Sequence, residues 1–254
     1  MAYERDRGRV DAAMRSSGVC VVMNKSHITK PEDMVTTMKA VYEFGYVAEV
    51  TFRIDAAILR EGMQELTRLR AEMPAAEPFV LGVGSVINPK ELEAAVEMGF
   101  DMIVAPANVM GGYGQGSEFI KIAHAAGCFA APAIFTPTEL NYFIERDDDL
   151  IPDAIKIFPA NTHGAKGVSG LLAPYVRDRH AGRIVMPTGG VNYETGVQYI
   201  EAISGRGYFP VCGMSAPLKG VADAKKPGDL ETINASLTEF TAKFKAAKAE
   251  AGLS

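Results

Sequence analysis

Short apolar runs recur along the chain, and helical patterns lie between them. The runs are "GVCVVM" (18–23), "YVAEVTF" (46–52), "PFVLGVG" (78–84), "FDMIVAP" (100–106), "CFAAPAI" (128–134), "AIKIFPA" (154–160), "RIVMPTG" (183–189) and "FPVCGMS" (209–215). Their apolar character is nearly continuous rather than alternating, which marks strands covered on both faces, as in a parallel sheet. Intervening segments such as "PEDMVTTMKAVYEFG", "NPKELEAAVEMG" and "GSEFIKIAHAAG" read as helices, and the last two end in glycine, as helix C-termini often do. Strands spaced by about 25–30 residues suit one βα unit each. Eight such units predict an α/β protein folded as a (β/α)8 TIM barrel, with an N-terminal helix, "ERDRGRVDAAMRSS", capping its base. A doubly wound open sheet is the alternative.

The pattern suggests one barrel domain over residues 1–254: an N-terminal helix within 1–17, a barrel core over 18–220 and an amphipathic C-terminal helix over 228–254. With 254 residues, 48% hydrophobic and 22% charged, the chain can bury a large core. A formal charge of −5, without a basic run interleaved with aromatics, argues against nucleic acid as a partner. The polar N-terminus lacks an apolar signal core, and no apolar run reaches the roughly 18 residues of a membrane span. Cys20, Cys128 and Cys212 lie far apart inside apolar segments and read as small core residues in a reducing cytoplasm.

Two charged residues interrupt the apolar strands. Lys156 sits in "AIKIF", and Glu49 sits in "VAEVTFR", with Arg53 at that segment's C-terminal end. Alternation puts Val47, Glu49, Thr51 and Arg53 on one face, and at roughly 3.3 Å per residue Arg53 would stand about 13 Å nearer the barrel mouth than Glu49. Lys156 and Glu49 could be a buried ion pair without chemistry, but desolvation makes such pairs weak stabilisers. Alternatively, burial favours a free amine able to attack a carbonyl, with the carboxyl group moving protons. The loops after the last two strands, "PTGG" (187–190) and "GMS" (213–215), offer close backbone N–H groups and a hydroxyl, where many barrels hold phosphate.

Together "EVTFR" (49–53), "GVGSVINP" (82–89), "IKIFPA" (155–160), "PTGG" (187–190) and "GMS" (213–215) resemble, in order and approximate spacing, the 2-keto-3-deoxy-6-phosphogluconate (KDPG) and 4-hydroxy-2-oxoglutarate (KHG) aldolases. The resemblance runs from about residue 18 to 220. It implies a cytoplasmic class I (Schiff-base) aldolase on a (β/α)8 barrel, commonly a homotrimer, with no metal or other cofactor beyond a covalent imine on Lys156. Glu49 would handle proton transfers. Arg53, Ser85, Phe158 and Thr188 would contact the substrate, and Gly189, Gly190, Gly213 and Ser215 the phosphate. The reaction implied is cleavage of a 2-oxo-4-hydroxy acid, foremost 2-dehydro-3-deoxy-6-phosphogluconate of the Entner–Doudoroff pathway, to pyruvate and glyceraldehyde 3-phosphate. The alternatives are action on 4-hydroxy-2-oxoglutarate or a non-phosphorylated sugar acid, and a non-catalytic barrel that binds a phosphometabolite. Departures from the family pattern include Ser85 for threonine, "APA" (105–107) for Ser-Pro-Gly, Asn161 for glutamate and Met214 for a glycine. These flank the pocket, and loss of the glycine could weaken the phosphate grip.

The remaining signals are weaker. His27 and His163 follow strands at the expected active face, whereas His124 reads as a helix-surface residue and His180 as part of a solvated turn. None is paired at metal-ligand spacing. "GGYGQG" (111–116) lacks dinucleotide-binding spacing and reads as a mobile lid over the mouth. "RDDD" (146–149) reads as a solvated face, and "FTPTEL" (135–140) as a helix start capped by Thr136 with Pro137 in its first turn.

Overall fold

A computed structural model describes residues 3–73, 79–107, 118–145, 150–175 and 180–253. The segments 111–116 and 146–149 singled out above lie outside the described residues.

The chain opens with α1 (Arg7–Ser17), started by the Asp6 side chain accepting from Gly8 N–H and stopped by left-handed Gly18, whose N–H returns to Met14 O. After it come β1 (Val19–Met23), α2 (Pro31–Glu43), β2 (Val47–Thr51), α3 (Ala56–Glu72), β3 (Leu81–Gly84), α4 (Pro89–Met98), β4 (Met102–Val104) and α5 (Glu118–Ala125). The second half contains β5 (Phe129–Ala131), β6 (Ala133–Ile134), α6 (Pro137–Ile144), β7 (Ala154–Ile157), α7 (Ala160–Leu172), β8 (Ile184–Pro187), α8 (Tyr193–Ser204), β9 (Phe209–Pro210) and β10 (Cys212–Met214). A 3-10 turn (Ala216–Leu218), α9 (Lys219–Ala224) and α10 (Leu230–Glu250) end it. Capping at α6 is as expected: Thr136 and Glu139 cap each other's backbone, with Pro137 in the first turn.

Every strand pair is parallel, in the orders β10–β1–β2–β3–β4–β5 and β6–β7–β8–β9. The two sheets are arcs of one ring. β5 and β6 are a single strand interrupted at Pro132, which lacks an N–H; its carbonyl instead accepts from Lys156 N–H of β7 at 3.0 Å. β9 and β10 are likewise one strand, tied to β8 by Val211 N–H to Val185 O at 3.1 Å and by the Thr188–Gly213 bridge. Counted this way, eight parallel strands close a barrel, in agreement with the fold read from the sequence.

Strand alternation sorts the apolar residues into two cores. Cys20, Val47, Val80, Met102, Phe129 and Ile184 belong to an inner cluster that also contains Val10 and Met14 of α1. The N-terminal helix therefore plugs the base of the barrel with two residues spaced four apart on one face. Ala48, Val50, Leu81, Val83 and Ile155 point the other way, into the layer beneath the helices. α10 covers α2 and β2 from outside: Tyr46 Oη meets Thr241 Oγ1 at 2.8 Å, and Phe240 lies edge-on to the Tyr46 ring. Among the described residues, no helix is long and apolar enough to cross a membrane.

Two histidines differ from the sequence reading. His124 is not a surface residue: its Nε2 lies 2.9 Å from Asp153 Oδ2, and Arg7 grips the same carboxylate from α1 at 2.7 Å. His180 is fully buried, with Nε2 2.7 Å from Glu145 Oε1.

Candidate active site

The inward face of β2 carries Val47 low in the barrel and Glu49 above it, buried to 2% exposure. Across the barrel, β7 presents Ala154 and then Lys156, 4% exposed. Each follows from strand parity, since their neighbours Ala48, Val50, Ile155 and Ile157 all belong to the outer core. Burial pushes the Glu49 carboxyl above the usual carboxylate range, while the Lys156 charge and a thiol hydrogen bond pull it back. The two groups interact electrostatically, but among the described residues they make no direct ion pair. Lys156 Nζ sits 5.0 Å from the centre of the Phe158 ring.

The Glu49 carboxylate occupies a notch between two neighbouring strands. On the β3 side, a Cβ added to Gly84 would fall 1.8 Å from Oε1, so the absence of a side chain makes the space. On the β1 side, the Cys20 thiol donates to Oε2 at 3.6 Å. The sequence points to neither residue as part of the site; Cys20 reads there as a small core residue. Its inward parity, beside the strand bearing Glu49, is the signal that could have found it.

After β8 the backbone turns through Gly189 and Gly190 at φ 94° and 70°, a conformation costly for any other residue. The turn is stitched to the start of α7 by Ala160 N–H to Thr188 O at 2.7 Å and Asn161 N–H to Gly189 O at 3.1 Å. Gly189 lies against Phe158, which joins this turn to the lysine. A Gly213 Cβ would stand 2.3 Å from Thr188 Oγ1, so β8 and β10 approach closely and bring Thr188, Gly213 and exposed Ser215 to the same end of the barrel. Met214 points outward, packed 3.4 Å from the position of a Gly196 Cβ on α8. Its side chain therefore does not enter the space above Gly213.

At the same end of the barrel, His27 ties the loop after β1 to the turn after β10. Its Nδ1 accepts from Asn24 N–H at 3.1 Å, and the ring bonds the Leu218 backbone. With 2% exposure the ring is driven to a pKa of about 4, so it is neutral and structural. His163 bonds Phe135 O at 2.9 Å and lies against its ring.

Arg53 departs from the expected geometry. β2 ends at Thr51, and Arg53 lies in the following turn with its N–H on Thr51 Oγ1 at 3.2 Å, so strand alternation does not carry it inward. The half-exposed guanidinium pairs with Glu91 and reaches Ser85 O at 3.3 Å. Ser85 adopts φ 60°, unusual for a residue with a side chain. Glu91 was not singled out from the sequence; it also accepts from Ile87 N–H at 2.9 Å. No group of three or more His, Cys, Asp or Glu poised to hold a metal ion occurs among the described residues.

A parallel (β/α)8 barrel with a lysine and a carboxyl group enclosed beneath glycine turns at its C-terminal mouth is the architecture of a barrel enzyme. The model of the "KDPG and KHG aldolase" family matches residues 10–223, and the chain belongs to that family of lyases. It is similar to the 2-dehydro-3-deoxy-phosphogluconate aldolase of Dickeya dadantii, with 28% identity over 85% of this chain and 88% of that protein. It is also similar to the 2-dehydro-3-deoxy-6-phosphogalactonate aldolase of Escherichia coli K12, with 31% identity over 48% of this chain; that match spans about half, 53%, of the relative. Among solved structures, the 2-keto-3-deoxy-6-phosphogluconate aldolase of Zymomonas mobilis superposes with a TM-score of 0.66 at 26% identity, covering 96% of this chain and all of that one.

Proposed function

We propose that the protein is a class I aldolase that splits a 2-oxo-4-hydroxy acid into pyruvate and an aldehyde through an imine on Lys156. The observation that carries this reading is the pair of buried, inward-facing groups, Lys156 on β7 and Glu49 on β2, in a barrel whose relatives are named aldolases. A buried pair is a poor way to stabilise a core, whereas an enclosed amine beside a proton carrier is what imine chemistry needs.

The Lys156 amine attacks the C2 carbonyl, and loss of water gives a cationic imine. Glu49, directly or through one water, takes the proton of the C4 hydroxyl. The C3–C4 bonding electrons move into the imine, releasing the aldehyde and leaving an enamine. Glu49 returns a proton to C3, and water hydrolyses the resulting imine to pyruvate and the free lysine. Arg53 and Ser85 bind the substrate carboxylate, while Phe158 and Thr188 contact its chain. The backbone at Gly189, Gly190 and Gly213, with the Ser215 hydroxyl, takes a terminal phosphate.

The substrate in this proposal is 2-dehydro-3-deoxy-6-phosphogluconate, placing the protein in the Entner–Doudoroff route as a soluble homotrimer that needs no metal. Relatives named for both gluconate and galactonate acids make the configuration at C4 the first point to test. Borohydride reduction with pyruvate present should add pyruvate's mass to Lys156 alone; absence of label, or label on another lysine, would overturn the mechanism. A panel of the two phosphorylated epimers, 4-hydroxy-2-oxoglutarate and the unphosphorylated acid then assigns the substrate.

A further inference from the structure

We propose that Cys20 is a positioning residue for this reaction: its thiol fixes the Glu49 carboxylate from β1 while the open space at Gly84 receives the other oxygen from β3. The inference deepens the aldolase reading and rests on it.

Cys20 is fully buried on the inward face of β1, in register with Val47, one inward position below Glu49. The S–H donates to Oε2, and Oε1 lies over Gly84, so both oxygens of the carboxylate are located by the strands on either side. The groups that titrate or carry charge against Glu49 are Cys20 from β1 and Lys156 from β7; β3 brings only glycine. Burial, reinforced by the nearby carboxylate, holds the thiol well above its ordinary pKa. It therefore stays protonated and serves as a donor throughout the working range. A thiol is a weak donor. It can hold the plane of the carboxylate while leaving most of the basicity needed to take a proton from substrate, whereas a strong donor would stabilise the anion and blunt that basicity. In effect, the site keeps its base oriented without disarming it.

The test uses a partial reaction, exchange of the pyruvate methyl protons in heavy water followed by NMR, which needs only the imine and the base. Without the donor, Cys20→Ala should move the acid limb of the exchange rate upward by about half a pH unit and lower the plateau about threefold. Borohydride trapping of pyruvate on Lys156 should be unchanged. Cys20→Ser keeps a donor and should keep the limb at or below the parent position. In the infrared, the S–H stretching band lost in Cys20→Ala should shift in the parent as Glu49 titrates. Thermal unfolding reports packing separately. A lowered melting temperature with the parent's acid limb and rate, or an S–H band indifferent to pH across that limb, would overturn the proposal. A parent protein that traps no pyruvate on Lys156 would instead overturn the aldolase reading itself.

Discussion

Gly84→Ala tests the geometry of the proposed base with one methyl group. The added Cβ would lie 1.8 Å from Glu49 Oε1, against 3.4 Å where ordinary contact begins, so the carboxylate must retreat by 1.6 Å, the difference between the two. Gly84 does not adopt a positive φ, so alanine fits the backbone and the strain falls on Glu49. Misplacement by 1 Å near the chemistry costs on the order of 100-fold, so a kcat loss of at least that size, about 2.7 kcal/mol, is expected. Overpacking should also remove about 1–3 kcal/mol of stability. The assay is steady-state pyruvate release from the best substrate of the panel, paired with the endpoint of borohydride trapping. Since Lys156 is untouched, the endpoint should persist while turnover collapses. A kcat within about threefold of the parent would refute the idea that chemistry depends on this placement of Glu49.

Further expectations concern other parts of the molecule. Gly213→Ala would put a Cβ 2.3 Å from Thr188 Oγ1 and should raise KM more than it lowers kcat, as steady-state kinetics would show. His27 has its pKa depressed from 6.5 to about 4, so protonation favours the unfolded chain. The stability it protects is whole above pH 6.5 and falls as pH drops toward 4, by up to about 3 kcal/mol; urea unfolding at both ends should show a smaller acid loss in His27→Gln. Arg70→Ala strands the buried Asp101 and should cost about 3–5 kcal/mol in urea unfolding without altering trapping at Lys156. Glu91→Gln releases Arg53 from its ion pair and should change KM for the carboxylate substrate while the kcat acid limb stays fixed.

The fold was legible because each strand is buried on both faces and each connection is helical, so apolar runs and helix patterns alternate visibly. The readings failed where burial depends on partners distant in sequence. His124 lies 29 residues from Asp153, and His180 lies 35 from Glu145; nothing in the local composition of "KIAHAAG" or "RDRHAGR" announces either pairing. Arg53 was placed by extending alternation past Thr51, where the Thr51 hydroxyl takes the Arg53 N–H and the strand gives way to a turn. Lys156 and Glu49 stood out because a charge inside an apolar run demands a reason. Cys20 and Gly84 did not, because a thiol and a glycine look ordinary wherever they fall.

Those quiet residues explain how a barrel can hold charged groups at all. A ring of eight strands is narrow enough for side chains to fill it, and low in this one Val47, Val80 and Phe129 do so. Higher up, two strands carry glycine at their inward positions, Gly82 and Gly84 on β3 and Gly213 on β10, with Met102 and Met186 laying their terminal methyl groups within 3.0 Å of the missing Cβ positions at Gly82 and Gly213. At Gly82 a methionine methyl takes the space, at Gly213 the Thr188 hydroxyl and a second methyl, and at Gly84 the Glu49 carboxylate. Missing side chains on β3 and β10 are thus what make room for Glu49 and Thr188 inside a packed core. Filling Gly84 should therefore stop turnover while leaving the barrel folded, whereas at Gly213 the displaced group is Thr188 and the cost should fall on KM.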